Sequence, residues 1–231
     1  IRPILRGRDI KRYGHEYADL WLIYIPWHFP RHNDTTISGA SATAEDEFMH
    51  SYPAIYNHLL CYKENLSNRN KAETGIRYEW YAMQRWGANY WEDFFKQKIV
   101  WAETMRIHKN SVDRFPRFGY DKEGKYFTDK TCFFATGEKI EYLMIFFNSL
   151  IGRYLCSKYV SILDDGGYLM QKIYLENIPV PDFESEISSI TNQILKANQV
   201  TEGLENEVDR ILFELYQFSE EEINFIYTQS L

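Results

Sequence analysis

Residues 125–155 read KYFTDKTCFFATGEKIEYLMIFFNSLIGRYL, and the spacing of their apolar side chains changes partway along. Through Ala135 the pattern alternates, as in a strand with one buried face. From Ile140 the apolar positions are Leu143, Met144, Phe147, Leu150, Ile151 and Leu155, the three-to-four spacing of a helix face. Thr136 stands where a helix cap is expected. Strand pattern running into helix pattern predicts an α+β fold, a mixed β-sheet body with packed helices.

Working upstream, KIVWA at 98–102 reads as a strand, and Arg106–Lys125 as a basic, turn-rich connection holding Pro116, Gly119 and Gly124. Residues 78–95 carry eight aromatics, which predict core packing, with Trp80 and Arg85 as the positions where base stacking stays open. Ser51 is expected to cap a helix with Pro53 in its first turn and a buried face at Tyr52, Ile55, Tyr56, Leu59 and Leu60. The polar stretch 31–47 reads as a loop, and LWLIYI at 20–25 as a buried strand stopped by Pro26. Downstream, Asp164–Gly167 predicts a turn and Tyr168–Leu175 a strand, before IPVP at 178–181. Beyond it, apolar residues from Ile187 to Leu215 run at helical spacing with a break near Gly203, and Ser219 with Glu222 forms a capping box. Residues 1–181 are therefore expected to form the body and 182–231 a helical C-terminal segment.

Charge divides at the same place. The chain of 231 residues has a formal net charge of −7, but residues 181–231 hold 11 acidic and 2 basic side chains, a net of −9. That leaves 22 acidic against 24 basic over residues 1–180, a net of +2. The body is thus compatible with a nucleic-acid partner although the whole-chain balance is not that of a basic duplex binder. Basic side chains gather in the opening run (Arg2, Arg6, Arg8, Lys11, Arg12) and between 106 and 130. Either can contact a phosphate backbone, and either can be a plain solvated surface.

Motifs for chemistry are absent. There is no GxGxxG, no GxxxxGK[ST] and no (D/N/S)PP(Y/F). His28 and His32 are four apart, but Pro30 between them argues for capping or solvated histidines over a helical metal site. Asp164-Asp165 precedes Gly-Gly and reads as a turn, and Pro181-Asp182 lacks an ExK partner. Cys61, Cys132 and Cys156 include no CxxC pair and suggest reduced thiols. With Ile1 in place of an initiator Met, no visible signal peptide and no membrane-length apolar run, the expectation is a cytoplasmic fragment of a longer polypeptide.

The ordered set IRPILRGRDIKRY, LWLIYI, YPAIYNHLLCYKENLSNR, QKIVWAETM, TDKTCFFATG, EYLMIFFNSLIGRYL, GGYLMQKIYLENIPVPDF and VDRILFELYQFSEEEINFI spans nearly all of the chain. It resembles the TaqI-like C-terminal specificity domain, the target-recognition domain of type IIG restriction-modification enzymes and related adenine-N6 DNA methyltransferases. The resemblance implies a double-stranded DNA partner and an upstream methyltransferase domain of the same polypeptide. That domain would bind S-adenosylmethionine and hold the flipped adenine, with Mg2+ where the parent also cleaves; this fragment itself would hold no cofactor and no catalytic residue. It also implies that 182–231 is a spacer facing neighbouring modules. Gly7-Arg8-Asp9-Ile10 matches the family's opening G-R-D-I, with its basic side chains as backbone contacts. The candidate DNA contacts are Arg6, Arg8, Lys11, Arg12, Arg85, Arg106, His108, Lys109, Arg114 and Arg117, and the 31–47 loop is a second candidate region. Two other readings compete: a protein-interaction domain without nucleic-acid binding, favoured by the net −7, and a self-contained hydrolase, disfavoured by the missing acid/base set.

Overall fold

The computed structural model describes residues 1–106, 115–164, 166–182, 185–197 and 199–229. It is α+β, and divides into two compact units, one made of Ile1–Arg2 with Trp21–Glu92 and the other of Pro3–Leu20 with Asp93–Leu231.

The first unit contains β4 (Trp21–Leu22) and helices α1 (Ala42–Ser51), α2 (Pro53–Leu60) and α3 (Lys63–Asn68). Its core is aromatic: Phe48, Tyr56, Tyr78, Trp80 and Tyr81 bury with Ile25, Ala44 and Ala82. Polar tips in that core share acceptors, as buried aromatic hydroxyl and indole groups must. The Glu45 carboxylate accepts from Tyr56 Oη at 2.9 Å and from Trp80 Nε1 at 2.6 Å. Glu79, itself buried, accepts from the backbone N–H groups of His28 and Ser41 at 2.7 and 2.9 Å.

Several expectations change here. LWLIYI forms only the two-residue β4, with Trp21 57% exposed, because the Ile25 carbonyl accepts from the Met83 N–H at 2.9 Å instead of joining a ladder. The 31–47 stretch is loop only as far as Ser41, whose hydroxyl caps α1 by accepting from the Ala44 N–H at 3.1 Å. Ser51 ends α1, and Tyr52 is the N-cap of α2 with Pro53 in the first turn. Of the face assigned to that helix, Tyr56 is buried while Tyr52 and Leu60 are exposed. The aromatic run divides likewise: Tyr78, Trp80, Tyr81 and Phe94 are buried, and Tyr90 and Phe95 exposed.

The second unit is built on β5 (Lys98–Ala102), buried at every position between two antiparallel neighbours, β7 (Phe118–Asp121) and β9 (Cys132–Ala135). Val100 lies opposite Gly119 on one side and Phe134 on the other. Parallel pairing joins β1 (Arg2–Leu5) to β8 (Phe127–Thr128), β2 (Ile10–Lys11) pairs with β3 (Gly14–His15), and β6 (Thr104–Arg106) with β11 (Gly167–Leu169), which in turn meets β10 (Ser161–Ile162). The alternating run 125–135 is therefore two strands. Asp129 Oδ1 accepts from the Thr131 N–H at 2.8 Å, an Asx turn that sends β8 to β1 and β9 to β5.

At the start of β5, Lys98 is fully buried and its ammonium lies 2.7 Å from Asp121 Oδ2 directly across the ladder. Asp121 also accepts from the N–H groups of Lys125 and Tyr126 at 3.0 and 2.9 Å, closing the turn at Gly124. Gly124 has φ +61, and a Cβ there would meet the Phe95 carbonyl at 2.2 Å. Burial lowers the pKa of the Lys98 ammonium while Asp121 opposes that shift.

The predicted helix 136–155 is broken in two, α4 (Ile140–Asn148) and α5 (Leu150–Tyr159). Asn148 is diverted to the sheet, where its amide accepts from the Phe118 N–H at 3.0 Å and donates to the Phe118 carbonyl at 2.8 Å. Ser149 then caps α5, and Lys139, not Thr136, precedes α4. After Met170 the chain forms a short helix, α6 (Lys172–Leu175), where a strand is expected, and α8 (Glu202–Tyr216) starts at a Thr201 cap, so the break precedes Gly203. The Ser219–Glu222 capping box is formed and opens α9 (Glu220–Gln229). Helices α7 (Ser185–Lys196), α8 and α9 contribute Ile187, Ile190, Val208, Leu212 and Ile226 to the same apolar core as Met144, Phe146 and Ile151. Charge changes at Pro181 while the core runs on. No helix among the described residues is long and apolar enough to cross a membrane.

Two predictions follow from this packing. Asp121→Ala strands a buried ammonium, so urea unfolding should show a loss of about 3–5 kcal/mol; a loss below about 1 kcal/mol would mean that the pair is not load-sharing. The second concerns Asp209 of α8, which accepts from the Leu150 N–H at 2.8 Å. Burial chiefly, with Glu205 adding, pushes its carboxyl up to about 6, against the Leu150 N–H and Arg12. A carboxyl whose folded pKa is raised is favoured protonated, so this contribution is present below about pH 4 and lost as pH rises through about 6. Asp209→Asn keeps the acceptor and removes the titration. Its stability relative to the wild type should rise by on the order of 2–3 kcal/mol between pH 4 and pH 7, and a pH-independent difference would sink the assignment.

Candidate nucleic-acid interface

The opening basic run folds into a 3-10 turn at Gly7–Asp9 between β1 and β2, and the turn gives its cations different fates. The Arg6 guanidinium meets Asp9 in a two-point contact, Nε to Oδ2 at 3.0 Å and Nη2 to Oδ1 at 2.8 Å, while Asp9 also accepts from the Arg6 N–H. Asp9 is buried, and the hydrogen bond from Arg6 lowers its pKa. Gly7 completes the turn by donating its N–H to Thr131 Oγ1 at 3.0 Å. Arg12 pairs with Glu205 of α8 and lies 5.4 Å over the Tyr13 ring. Lys11 stands 3.6 Å from Glu16. Arg8, exposed at the middle of the turn, has no hydrogen bond or ion pair among the described residues.

Thus Arg6, Arg8, Lys11 and Arg12 come together on one turn, but Arg6 and Arg12 hold the fold. Arg8 is the cation there with its donors unspent. Arg106 is exposed at the end of β6, opposite Gly167, and Arg117 is half-buried, with its backbone N–H 3.4 Å from the sulfur of Met105. His108, Lys109 and Arg114 lie outside the described residues.

Arg85 belongs to the first unit. It is exposed and lines a cavity of about 290 Å³ with Trp27, His28, His32, Gln84 and Trp86. The sequence marks Arg85 within an aromatic-dense run, but gives no sign that Trp27, His28 and His32 close around it. Residues 27–32 and 84–88 are far apart in sequence, and only folding closes them into one cleft. Residues 28–32 form turns, so His28 and His32 do not share a helix face. The His28 backbone is left-handed, at φ +60, and its Nδ1 lies 3.0 Å from Glu79. No group of three or more His, Cys, Asp or Glu suited to a metal ion occurs among the described residues.

A larger cavity in the second unit, of about 540 Å³, is lined by Trp101, Phe133, Leu143, Phe147, Leu175 and other apolar groups, with Lys172 and Glu176 as its charged members. It offers few donors or acceptors for reading a polar ligand. Among the described residues, Arg8 in the second unit and Gln84 and Arg85 in the first have side-chain donors without a hydrogen bond or ion pair.

The division of labour on the turn can be measured. Arg6→Ala removes the partner of a buried carboxylate and should lower the melting temperature clearly, whereas Arg8→Ala should change stability by less than about 0.5 kcal/mol. Equal melting temperatures for the two variants would refute it.

Residues 2–180 match the TaqI-like C-terminal specificity domain. No curated protein matches the chain.

Proposed function

The chain belongs to the TaqI-like C-terminal specificity domain family, and from that premise we propose that it is the sequence-specific, duplex-DNA-reading module of a type IIG restriction-modification enzyme or an adenine-N6 DNA methyltransferase. The observation that carries the reading is the family match over residues 2–180, which takes in the whole near-neutral body. Two features of the fold support it. The turn 6–12 is braced by its own ion pairs, a rigid support for the spare guanidinium of Arg8. Basic residues also flank the ends of β6 and β7 at Arg106 and Arg117, on the segment that holds His108, Lys109 and Arg114.

In this reading Arg8 and the basic residues of 106–117 divide into phosphate contacts that set register and base-edge contacts that specify sequence. Arginine suits both, being able to pair bidentately with guanine or with a phosphate. Arg6, Lys11 and Arg12 act by position, fixing the turn that presents Arg8. Methyl transfer falls to the upstream domain of the same polypeptide, with S-adenosylmethionine bound there, and Mg2+ too where the parent cleaves. The acidic segment 182–231 faces protein, since its charge repels a phosphate backbone. Its setting is the cytoplasm, where the three free cysteines stay reduced.

A chimera tests the proposal. Residues 1–180 are transplanted into a methyltransferase of the same family with a known target, and protection of DNA against methylation-sensitive cleavage is mapped. The expected result is a new target sequence, and retention of the host's old one would overturn the reading. Binding of duplex DNA by the chain should weaken with salt, log K falling linearly with log[salt]. Arg8→Ala should lower the slope by about 1, the share of one phosphate contact.

A further inference from the structure

Groove reading leaves the cleft around Arg85 unused. Its walls are stiff and aromatic. The Trp27 indole stacks on Tyr78 at 4.8 Å and 18°, and its Nε1 donates to the Met83 carbonyl at 2.7 Å. The ring of His28 is held by Glu79, and that of His32 stacks on Phe29 at 5.6 Å and 20°. Trp86 is fixed through its carbonyl, which accepts from the Tyr24 hydroxyl. Gly87 follows at φ +74, where a Cβ would come within 3.0 Å of the Tyr90 ring, so the turn that sets Trp86 needs glycine.

The polar groups of the cleft are the reverse of stiffly satisfied. Neither the Gln84 amide nor the Arg85 guanidinium has a hydrogen bond or ion pair among the described residues. His32 Nδ1 is shielded from solvent and has no partner there either. A buried ring nitrogen without a partner is costly unless something supplies one. The volume of about 290 Å³ lies at the small end for ligand sites.

We propose that this cleft binds a single unstacked nucleobase, its ring against the indole walls and its edge read by Gln84 and Arg85. Planar walls accept any base face, while an amide pairs with adenine and a guanidinium with guanine. The inference rests on the DNA-recognition reading and goes beyond it, because reading in a groove leaves every base paired and needs no cavity. The base comes either out of a duplex or from a single strand.

The test uses the chain and four fluorescently labelled probes: an unstructured DNA dodecamer, the same dodecamer without bases, its perfect duplex, and that duplex with one bulged base. The base-bearing dodecamer should bind about tenfold tighter than the abasic strand, the worth of one stacked base. Trp86→Ala and Gln84→Ala should each erode that advantage, leaving abasic affinity and melting temperature unchanged. A preference for the bulged over the perfect duplex that Trp86→Ala abolishes identifies a base leaving the duplex; an advantage confined to the single strand identifies the other source. Equal affinity for base-bearing and abasic strands, or variants that bind like the wild type, overturns the cleft. If the perfect duplex still binds with its salt dependence in that case, the recognition reading survives. If no probe binds, both fall together.

Discussion

The buried contact between Lys98 and Asp121 ties together three parts of the second unit. Two charges out of water are tolerable only when each is neutralised and its remaining hydrogen-bonding positions are filled. Both conditions hold: the Lys98 ammonium also donates to the Phe94 carbonyl at 2.7 Å, and Asp121 takes two backbone N–H groups beyond the turn. The pair therefore fixes three things at once, namely the register of β5 against β7, the position of the Phe94 turn before β5, and the closure of the chain at Gly124. A one-residue slip of β7 would turn Asp121 to the other face of the sheet and leave the ammonium unpaired. The register so fixed places Phe118 beside Asn148, and that contact in turn divides α4 from α5.

How far this was legible in the sequence depends on range. Local signals read well: KIVWA, the Ser219–Glu222 box and the helical spacing after Pro181 all describe elements that form as read. Failures cluster where a distant residue overrides local pattern. Nothing near Asn148 says that it will bond Phe118 across the core, or that Asp209 will take the Leu150 N–H left behind by the break. LWLIYI has strand composition, yet composition cannot tell that the Ile25 carbonyl will find Met83. The site behaves alike. Arginine content marks the opening run, but which arginine is spent on a carboxylate depends on Glu205, almost two hundred residues away.

That last point changes how net charge bears on function. A body of net +2 suggests few cations to offer, and a tail of net −9 suggests repulsion of any polyanion. The formal count treats all charges as equally exposed, however. Asp9, Asp121 and Glu205 are engaged by Arg6, Lys98 and Arg12, so these acids and bases cancel inside the fold and contribute little outside it. Cancelling pairs leave the net count unchanged, but they alter where the uncancelled charges lie. What a polyanion meets at the 6–12 turn is mainly Arg8, and at the rim of the aromatic cleft Arg85.

In the proposed DNA reading, a donor carried on fixed backbone favours sequence discrimination. A loose cation attracts any phosphate and rewards every sequence alike, since side-chain freedom lets it follow the nearest negative charge. Discrimination between bases is a difference between two affinities, and it survives only if the donor cannot relax toward the wrong partner. The Arg6–Asp9 contact and the Gly87 turn each hold a neighbour, Arg8 or Trp86, on backbone that is already fixed before any ligand arrives. Ordering costs that would otherwise be met on binding are met in folding. In that reading, the ion pairs that engage Arg6 and Arg12 fix the backbone from which Arg8 is presented.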